Sequence, residues 1–223
     1  EAGATTIICG RDQDKLDEAC AEAKAKGYQF IAYSADIADM ADCDRFVQLL
    51  IDNHGGVDFL INNAGRSIRR AIESSYDRFH DYERTMQLNY FGCLRVTMGL
   101  LPGMVEKRKG HVVNISSIGV LTNAPRFSAY VASKGAVMAM TRSMARELGA
   151  DAITINAVAP GLVLVEATEY VPEHRHRLYI DQRALQREQG PEDVSGAVSY
   201  LLSDGARFVT GQVLPVNGGF VMN

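Results

Sequence analysis

Tyr130 and Lys134 stand four residues apart, so on a helix their side chains share one face and can act on the same atom. A phenol with an ordinary pKa near ~10 exchanges protons poorly at neutral pH, and an ammonium about 4–6 Å away favours the phenolate and lowers that value. At an effective dielectric of about 20, a unit charge about 4 Å away is worth roughly 4 kcal/mol, enough to bring a tyrosine into working range. Lys134 is therefore read as the group that tunes Tyr130. Ser117 lies thirteen residues before Tyr130, just past the apolar run 111–116. When a carbonyl accepts hydride its oxygen gains negative charge, and hydroxyls at Ser117 and Tyr130 can bond that oxygen more strongly in the transition state than in the substrate. The hydride has to come from a cofactor. Alone, a Tyr-x-x-x-Lys pair is compatible with a solvated helix face. Ser117 at the carboxyl end of a strand, where open α/β sheets hold their ligands, favours chemistry. A serine hydrolase is disfavoured, because no Gly-x-Ser-x-Gly elbow surrounds Ser117.

Strands and helices alternate around these residues. The β-branched run 5–9 reads as a strand that opens through Gly10-Arg11-Asp12, and residues 13–26 carry Leu16, Ala19, Cys20 and Ala23 at helical spacing. Strand 30–34, helix 39–54 and strand 57–61 follow. A long helix over 82–109 leads to strand 111–116, whose unbroken apolar stretch suits a sheet covered on both faces. Helix 130–148, strand 153–158, a polar irregular stretch 162–190, helix 192–202 and strand 211–216 complete the chain. Each parallel crossover needs a covering helix, so the order predicts an α/β fold: a Rossmann-like, doubly wound parallel sheet in a three-layer αβα arrangement.

The 223 residues, 47% of them hydrophobic and 22% charged, suffice for one domain with a sizeable core. Residues 1–223 are accordingly read as a single domain. A balance of 23 Lys+Arg against 27 Asp+Glu, formally −4, includes no long block of one sign, and neither a nucleic acid nor a membrane partner is expected. The cysteines at 9, 20, 43 and 93 lack metal-ligand spacing and read as reduced, mostly buried thiols. Glu173-His174-Arg175-His176-Arg177 reads as a solvated basic stretch with a possible contact to an acidic substrate group. Its two histidines do not share a helix face, so no metal is expected. No apolar run approaches the ~18–20 residues of a membrane helix, and a cytoplasmic enzyme is expected.

The order Asn62-Asn63-Ala64-Gly65, Asn89 in Asn-Tyr-Phe-Gly, Asn114-Ile115-Ser116-Ser117, Tyr130-x-x-x-Lys134 and Pro160-Gly161 resembles the short-chain dehydrogenase/reductase family along essentially the whole chain. The resemblance implies a catalytic tetrad of Asn89, Ser117, Tyr130 and Lys134, with Asn89 holding a water that links Lys134 to solvent. It places Asp36 and Ile37 at the adenine ring, and Asn62, Ala64 and Gly65 beside the adenine ribose. Tyr130 and Lys134 fall at the nicotinamide ribose, and Pro160, Gly161 and Val163 at the nicotinamide end. Gly10 stands where NAD-specific members carry an acid, and the guanidinium of Arg11 suits a ribose 2′-phosphate, which favours NADPH with NADH as second choice. Ser117, Ile118, Phe127, Tyr130 and Leu162 are expected to line the substrate, under a lid at 162–190. Segments 66–71 and 123–127 look like members that reduce acyl or fatty-acyl substrates, which makes a 3-oxoacyl ketone one candidate. The family's threonine four residues past Pro-Gly is Val165 here, with Thr168 as a substitute. The family also implies an opening strand and a Thr-Gly-x-x-x-Gly-x-Gly loop, and residues 1–4 correspond to the end of the helix that follows that loop. The expected domain is therefore an N-terminally incomplete dinucleotide-binding catalytic domain. A catalytically silent binding or structural relative is the alternative. Apolar residues on several faces of the two long helices, Phe91, Met98, Met138 and Met140 among them, fit a homotetramer or homodimer.

Overall fold

The computed structural model describes residues 3–222, apart from the side chain at 167. Parallel strands lie between layers of helices. The first crossover runs from β1 (Thr6–Gly10) through α1 (Gln13–Ala25) to β2 (Phe30–Ser34), and α2 (Met40–His54) leads to β3 (Phe59–Asn62). Both helices start where an aspartate accepts from free backbone N–H groups, Asp12 for α1 and Asp39 for α2. α3 (Phe79–Met86) passes through a π-helical segment, Gln87–Gly92, into α4 (Cys93–Lys107). Beyond them come β4 (Gly110–Ile115), α5 (Ser128–Leu148), β5 (Ile153–Pro160), α6 (Glu173–Gln182), α7 (Glu192–Leu201) and β6 (Val213–Val216).

Every ladder is parallel. Among the described residues the strands form two hydrogen-bonded sets, β1-β2 and β3-β4-β5-β6, with no ladder between β1 and β3. The two sets share one core, in which Phe46, Leu50, Val96 and Leu100 of α2 and α4 pack with Ile7 of β1 and Leu60 of β3. Successive residues of a strand face opposite sides, and β4 shows it plainly. Val112 packs against Met104 and Ala145 of α4 and α5, whereas Val113 packs against Leu201 of α7. Both valines are fully buried, as the unbroken apolar run of β4 predicts. By contrast, Phe59 and Ile61 of β3 remain 40% and 46% exposed, so that strand has one uncovered face.

Two expectations need correction. The helix expected over 82–109 starts at Phe79 and is interrupted by the π segment. The stretch 162–190, expected to be irregular, contains α6, because Tyr179 and Ile180 give an otherwise charged segment something to pack. Of the methionines expected on several faces, Met138 and Met140 are buried, while Met98 and Phe91 are about half exposed on the outer side of α4 and the π segment. No helix among the described residues is long and apolar enough to cross a membrane. The four cysteines are free, Cys43 and Cys93 buried and Cys9 exposed.

Candidate functional site

The carboxyl ends of β3, β4 and β5 converge on the amino-terminal turns of α5. Ser117 leaves β4 in a turn stapled to β5 on both sides, since Ser116 N donates to Val158 O at 2.7 Å and Ile118 N to Pro160 O at 3.1 Å. Its Oγ accepts from Gly119 N at 3.0 Å. A side chain on Gly119 would lie within 3.2 Å of that Oγ and 3.9 Å of the Tyr130 ring, so the two hydroxyl-bearing residues border one small volume. Phe127, immediately before α5, sets its ring edge-on against Tyr130 with centroids 6.0 Å apart.

Lys134 sits one turn further along α5 and is 4% exposed. Its Nζ donates to Ile115 O at 2.6 Å, and its own carbonyl accepts from Ser116 Oγ at 3.1 Å. Asn89, on the π segment, grips the loop after β3. Its Oδ1 accepts from Arg66 N at 2.8 Å, and its Nδ2 donates to Arg66 O and to Ser133 Oγ, both at 2.9 Å. Between them lies Gly65, where a Cβ would stand 3.2 Å from Lys134 Nζ and 3.3 Å from Asn89 Oδ1. Only a glycine leaves that approach open. A π turn shifts the register of a helix and is often found at functional sites. Here the turn carries Asn89, a feature that the Asn-Tyr-Phe-Gly motif marks without revealing its geometry.

The electrostatics depart from the sequence reading in one respect. Burial pushes the Tyr130 hydroxyl above its ordinary value, and the hydrogen bond with Ser117 pulls it part of the way back. The ammonium expected to tune it is directed at Ile115 O instead. Lys134 itself is lowered to about 8, because burial penalises its charged form.

The remaining expected residues fall into three groups. Pro160, Gly161 and Leu162 continue β5 beside Ser117, with Ile118 buried next to Met138 and Ala159. Val163 bridges to Gln189, and its carbonyl accepts from Thr168 Oγ1 at 2.7 Å. Thr168 is thus engaged within the lid's first turn. Arg11 and Asp36 meet 3.8 Å apart at the carboxyl ends of β1 and β2, both accessible to a ligand. Ala64 is exposed in the loop after β3. Ile37 and Asn62 offer only backbone, since Ile37 is buried in the core and Asn62 Nδ2 donates to Thr97 Oγ1 and Asn114 Oδ1 at 2.9 and 2.8 Å.

Sequence reasoning missed the ties that hold the 162–190 segment. Tyr170 Oη meets Ser67 Oγ at 3.1 Å, and Lys15 Nζ donates to Glu166 at 3.1 Å. Arg183 is buried and bonds Leu162 O at 2.9 Å. The available signal was the repeat Arg175, Tyr179, Arg183 at four-residue spacing, one helix face in a segment taken as solvated. A cavity of about 930 Å³ lies within the 162–190 segment, where Glu166, Glu169, Glu173, Asp181 and Glu188 outnumber the one arginine, Arg177, and this charge disfavours a dinucleotide.

Beside Gly65 the side chain of Lys134 keeps hydrogen-bond donors of the kind a nucleoside ribose would need. An ammonium has three donors and Ile115 O accepts one of them, which leaves Lys134 donors beside the open Gly65 backbone for ribose hydroxyls.

A family model described as Enoyl-(Acyl carrier protein) reductase matches residues 1–221. The chain is 46% identical over 177 residues to a fatty acyl-CoA reductase of Acinetobacter baylyi, covering 77% of this chain and 60% of that protein. It is 32% identical over 222 residues to a 3-oxoacyl-[acyl-carrier-protein] reductase of Thermotoga maritima, covering 100% of this chain and 89% of the relative. The chain spans 49% to 60% of the length of the first relatives it matches, which include an uncharacterised oxidoreductase of Mycobacterium bovis at 43% identity. Among solved structures, an Agrobacterium tumefaciens protein proposed to be a gluconate dehydrogenase superposes with a TM-score of 0.91 at 25% identity, over 99% of this chain and 88% of that one.

Proposed function

The chain belongs to the short-chain dehydrogenase/reductase family, and from that premise we propose that it reduces a ketone or aldehyde, or oxidises the matching secondary alcohol, with NADPH as the preferred cofactor. The observation that carries this reading is that Ser117 Oγ and the Tyr130 ring border one small volume at Gly119, with Lys134 one turn along the same helix. The nicotinamide cofactor supplies the hydride. Ser117 Oγ holds the carbonyl oxygen, and Tyr130 delivers a proton to it as negative charge develops. A phenol raised by burial keeps its proton at neutral pH, which suits it to act as the acid in the reductive direction. Lys134 holds the nicotinamide ribose and, through a water beside Asn89, returns the proton from solvent. Pro160, Gly161 and Val163 border the nicotinamide end. Arg11 meets the 2′-phosphate, with Asp36 and Ile37 at the adenine.

The substrate would lie against Ile118, Phe127 and Leu162. Relatives named for fatty acyl-CoA and 3-oxoacyl reduction support an acyl-type carbonyl, such as a 3-oxoacyl thioester. Assembly as a homotetramer or homodimer would cover the half-exposed Phe91 and Met98. One observation favours a second reading, a silent binding relative: the Lys134 ammonium bonds Ile115 O rather than the Tyr130 hydroxyl.

NADPH fluorescence titration and absorbance with a 3-oxoacyl thioester separate the two. Saturable binding with turnover that Tyr130→Phe abolishes supports the enzyme. Binding without turnover supports the silent relative, and no binding of NADPH or NADH defeats both.

A further inference from the structure

Arg183 is 4% exposed, and among the described residues no carboxylate lies within ion-pair distance of its guanidinium. Its Nη1 donates to Arg187 O at 3.0 Å, and its Nη2 donates to Leu162 O at 2.9 Å and lies 3.4 Å from Gln189 Oε1. Nε has no partner, the one buried side-chain nitrogen or oxygen in that condition among the described residues. The ring of Tyr179 lies 5.7 Å from its Cζ and stacks in turn on Phe220 at 4.7 Å.

The nearby charges largely offset one another, Asp193 favouring its cation and Arg187 opposing it. Arg187 and Asp193 satisfy each other in a two-pronged pair at 2.7 and 2.5 Å, Glu188 is exposed, and Arg175, on the same Tyr179 ring, adds a cation. Burying an unpaired cation costs several kcal/mol, and an apolar side chain would normally hold a lid in place at lower cost. A charge kept under such conditions implies a use for the charge itself. Its position suggests that use. Arg183 Nη2 would lie 3.3 Å from a Cβ on Gly161, so the guanidinium backs directly onto the Gly161-Leu162 backbone, and Gly161 can carry no side chain without meeting Gln189 Oε1 at 2.7 Å.

We propose that Arg183 is a positioning residue that biases the groove toward the reduced cofactor: its buried, unpaired charge behind Gly161-Leu162 disfavours the cationic oxidised nicotinamide relative to the neutral dihydronicotinamide. The inference rests on the reading that puts the nicotinamide end at Pro160–Val163. Two charges roughly 8–10 Å apart at an effective dielectric of about 20–30 change the relative affinity of the two redox forms by about tenfold or somewhat more.

The test is the ratio of the dissociation constants for NADP+ and NADPH, from fluorescence titration and competition, in the full chain and in Arg183→Lys, Arg183→Gln and Arg183→Met. The wild type and the lysine variant should both favour NADPH, and each neutral variant that retains its circular dichroism should reduce the ratio by about tenfold. A merely structural peg would weaken both forms together and leave the ratio unmoved. A wild type that binds both forms equally overturns the inference, as does a folded Gln or Met variant with an unchanged ratio. Failure of the wild type to bind either form overturns the underlying cofactor reading instead.

Discussion

Replacing Lys134 with methionine should raise the stability of the cofactor-free protein at pH 7 while abolishing its activity. Burial lowers the Lys134 ammonium from 10.5 to about 8, which corresponds to roughly 3 kcal/mol of destabilisation whenever the group is charged in both the folded and unfolded states. Methionine has nearly the same reach and no charge. Against this, Ile115 O loses the donor that reaches it at 2.6 Å, an unmet buried carbonyl that costs about 1–3 kcal/mol. The net gain at pH 7 is therefore about 1 kcal/mol, or roughly 2–4 °C in Tm for a chain of this length. The pH dependence is the sharper test. Below about pH 8 both states of the wild type hold the proton, and the deficit is constant. Between about 8 and 10.5 the folded state releases it first, the unfolded state binds more protons, and wild-type stability rises with pH. Thermal melts of both proteins from pH 7 to 10.5 should show the mutant's advantage shrinking and then reversing, with titrating groups that do not sense Lys134 cancelling in the difference. A difference that stays flat across that range would refute the claim that a buried charge is the cause.

Other substitutions probe the remaining parts. Tyr130→Phe should reduce kcat by at least about 10²-fold with NADPH affinity preserved in fluorescence titration. For the wild type, carbonyl reduction should hold across neutral pH and fall as pH rises through the raised Tyr130 value, while alcohol oxidation should increase over the same range, read from initial rates. Arg11→Ala should weaken NADPH about tenfold and leave NADH nearly unchanged, which the ratio of the two KM values reports. Asn114→Ala strips partners from Asn62 and Thr141 in the buried network behind the site, and should cost about 3 kcal/mol, a fall in Tm of roughly 6–12 °C.

Much of this was legible because the decisive features are local. Tyr130 and Lys134 share a face through helix periodicity alone, and the apolar run that becomes β4 announces both its burial and the strand end that presents Ser117. Asp39 marks the start of α2 for the same reason, a side chain bonding its own backbone three residues on. What the sequence hid depends on contacts between distant segments. Asn62 falls in a motif that points to a ligand, yet its amide turns inward because Thr97 and Asn114, 35 and 52 residues away, offer it partners in the core. Lys134 bonds the carbonyl of Ile115, nineteen residues away on β4, a partner that helix spacing does not mark.

The lid was the least legible segment, and the reason is physical. Its amino-terminal half is held by two single long-range ties, Lys15 to Glu166 and Ser67 to Tyr170, while its carboxyl-terminal half is held by the stack of Tyr179 on Phe220, by Leu185 N and Gln189 Nε2 donating to Gly218 O and Val216 O, and by the buried Arg183. An exposed ion pair contributes little and a lone surface hydrogen bond not much more, so the first two ties can open at small cost. Arg183 differs because it is buried, and separating it from Leu162 O would leave a further unmet group beside an already unpartnered Nε. The lid should therefore pivot about its carboxyl-terminal half, α6 and the return through Gln189, while the 164–171 segment lifts. Tyr170→Phe isolates this hinge. It removes the tie to Ser67 and leaves Arg183 intact, so hydrogen exchange should accelerate at 164–171 and stay unchanged at 180–189. Equal acceleration in both segments would mean that the lid moves as one body and that Arg183 anchors nothing.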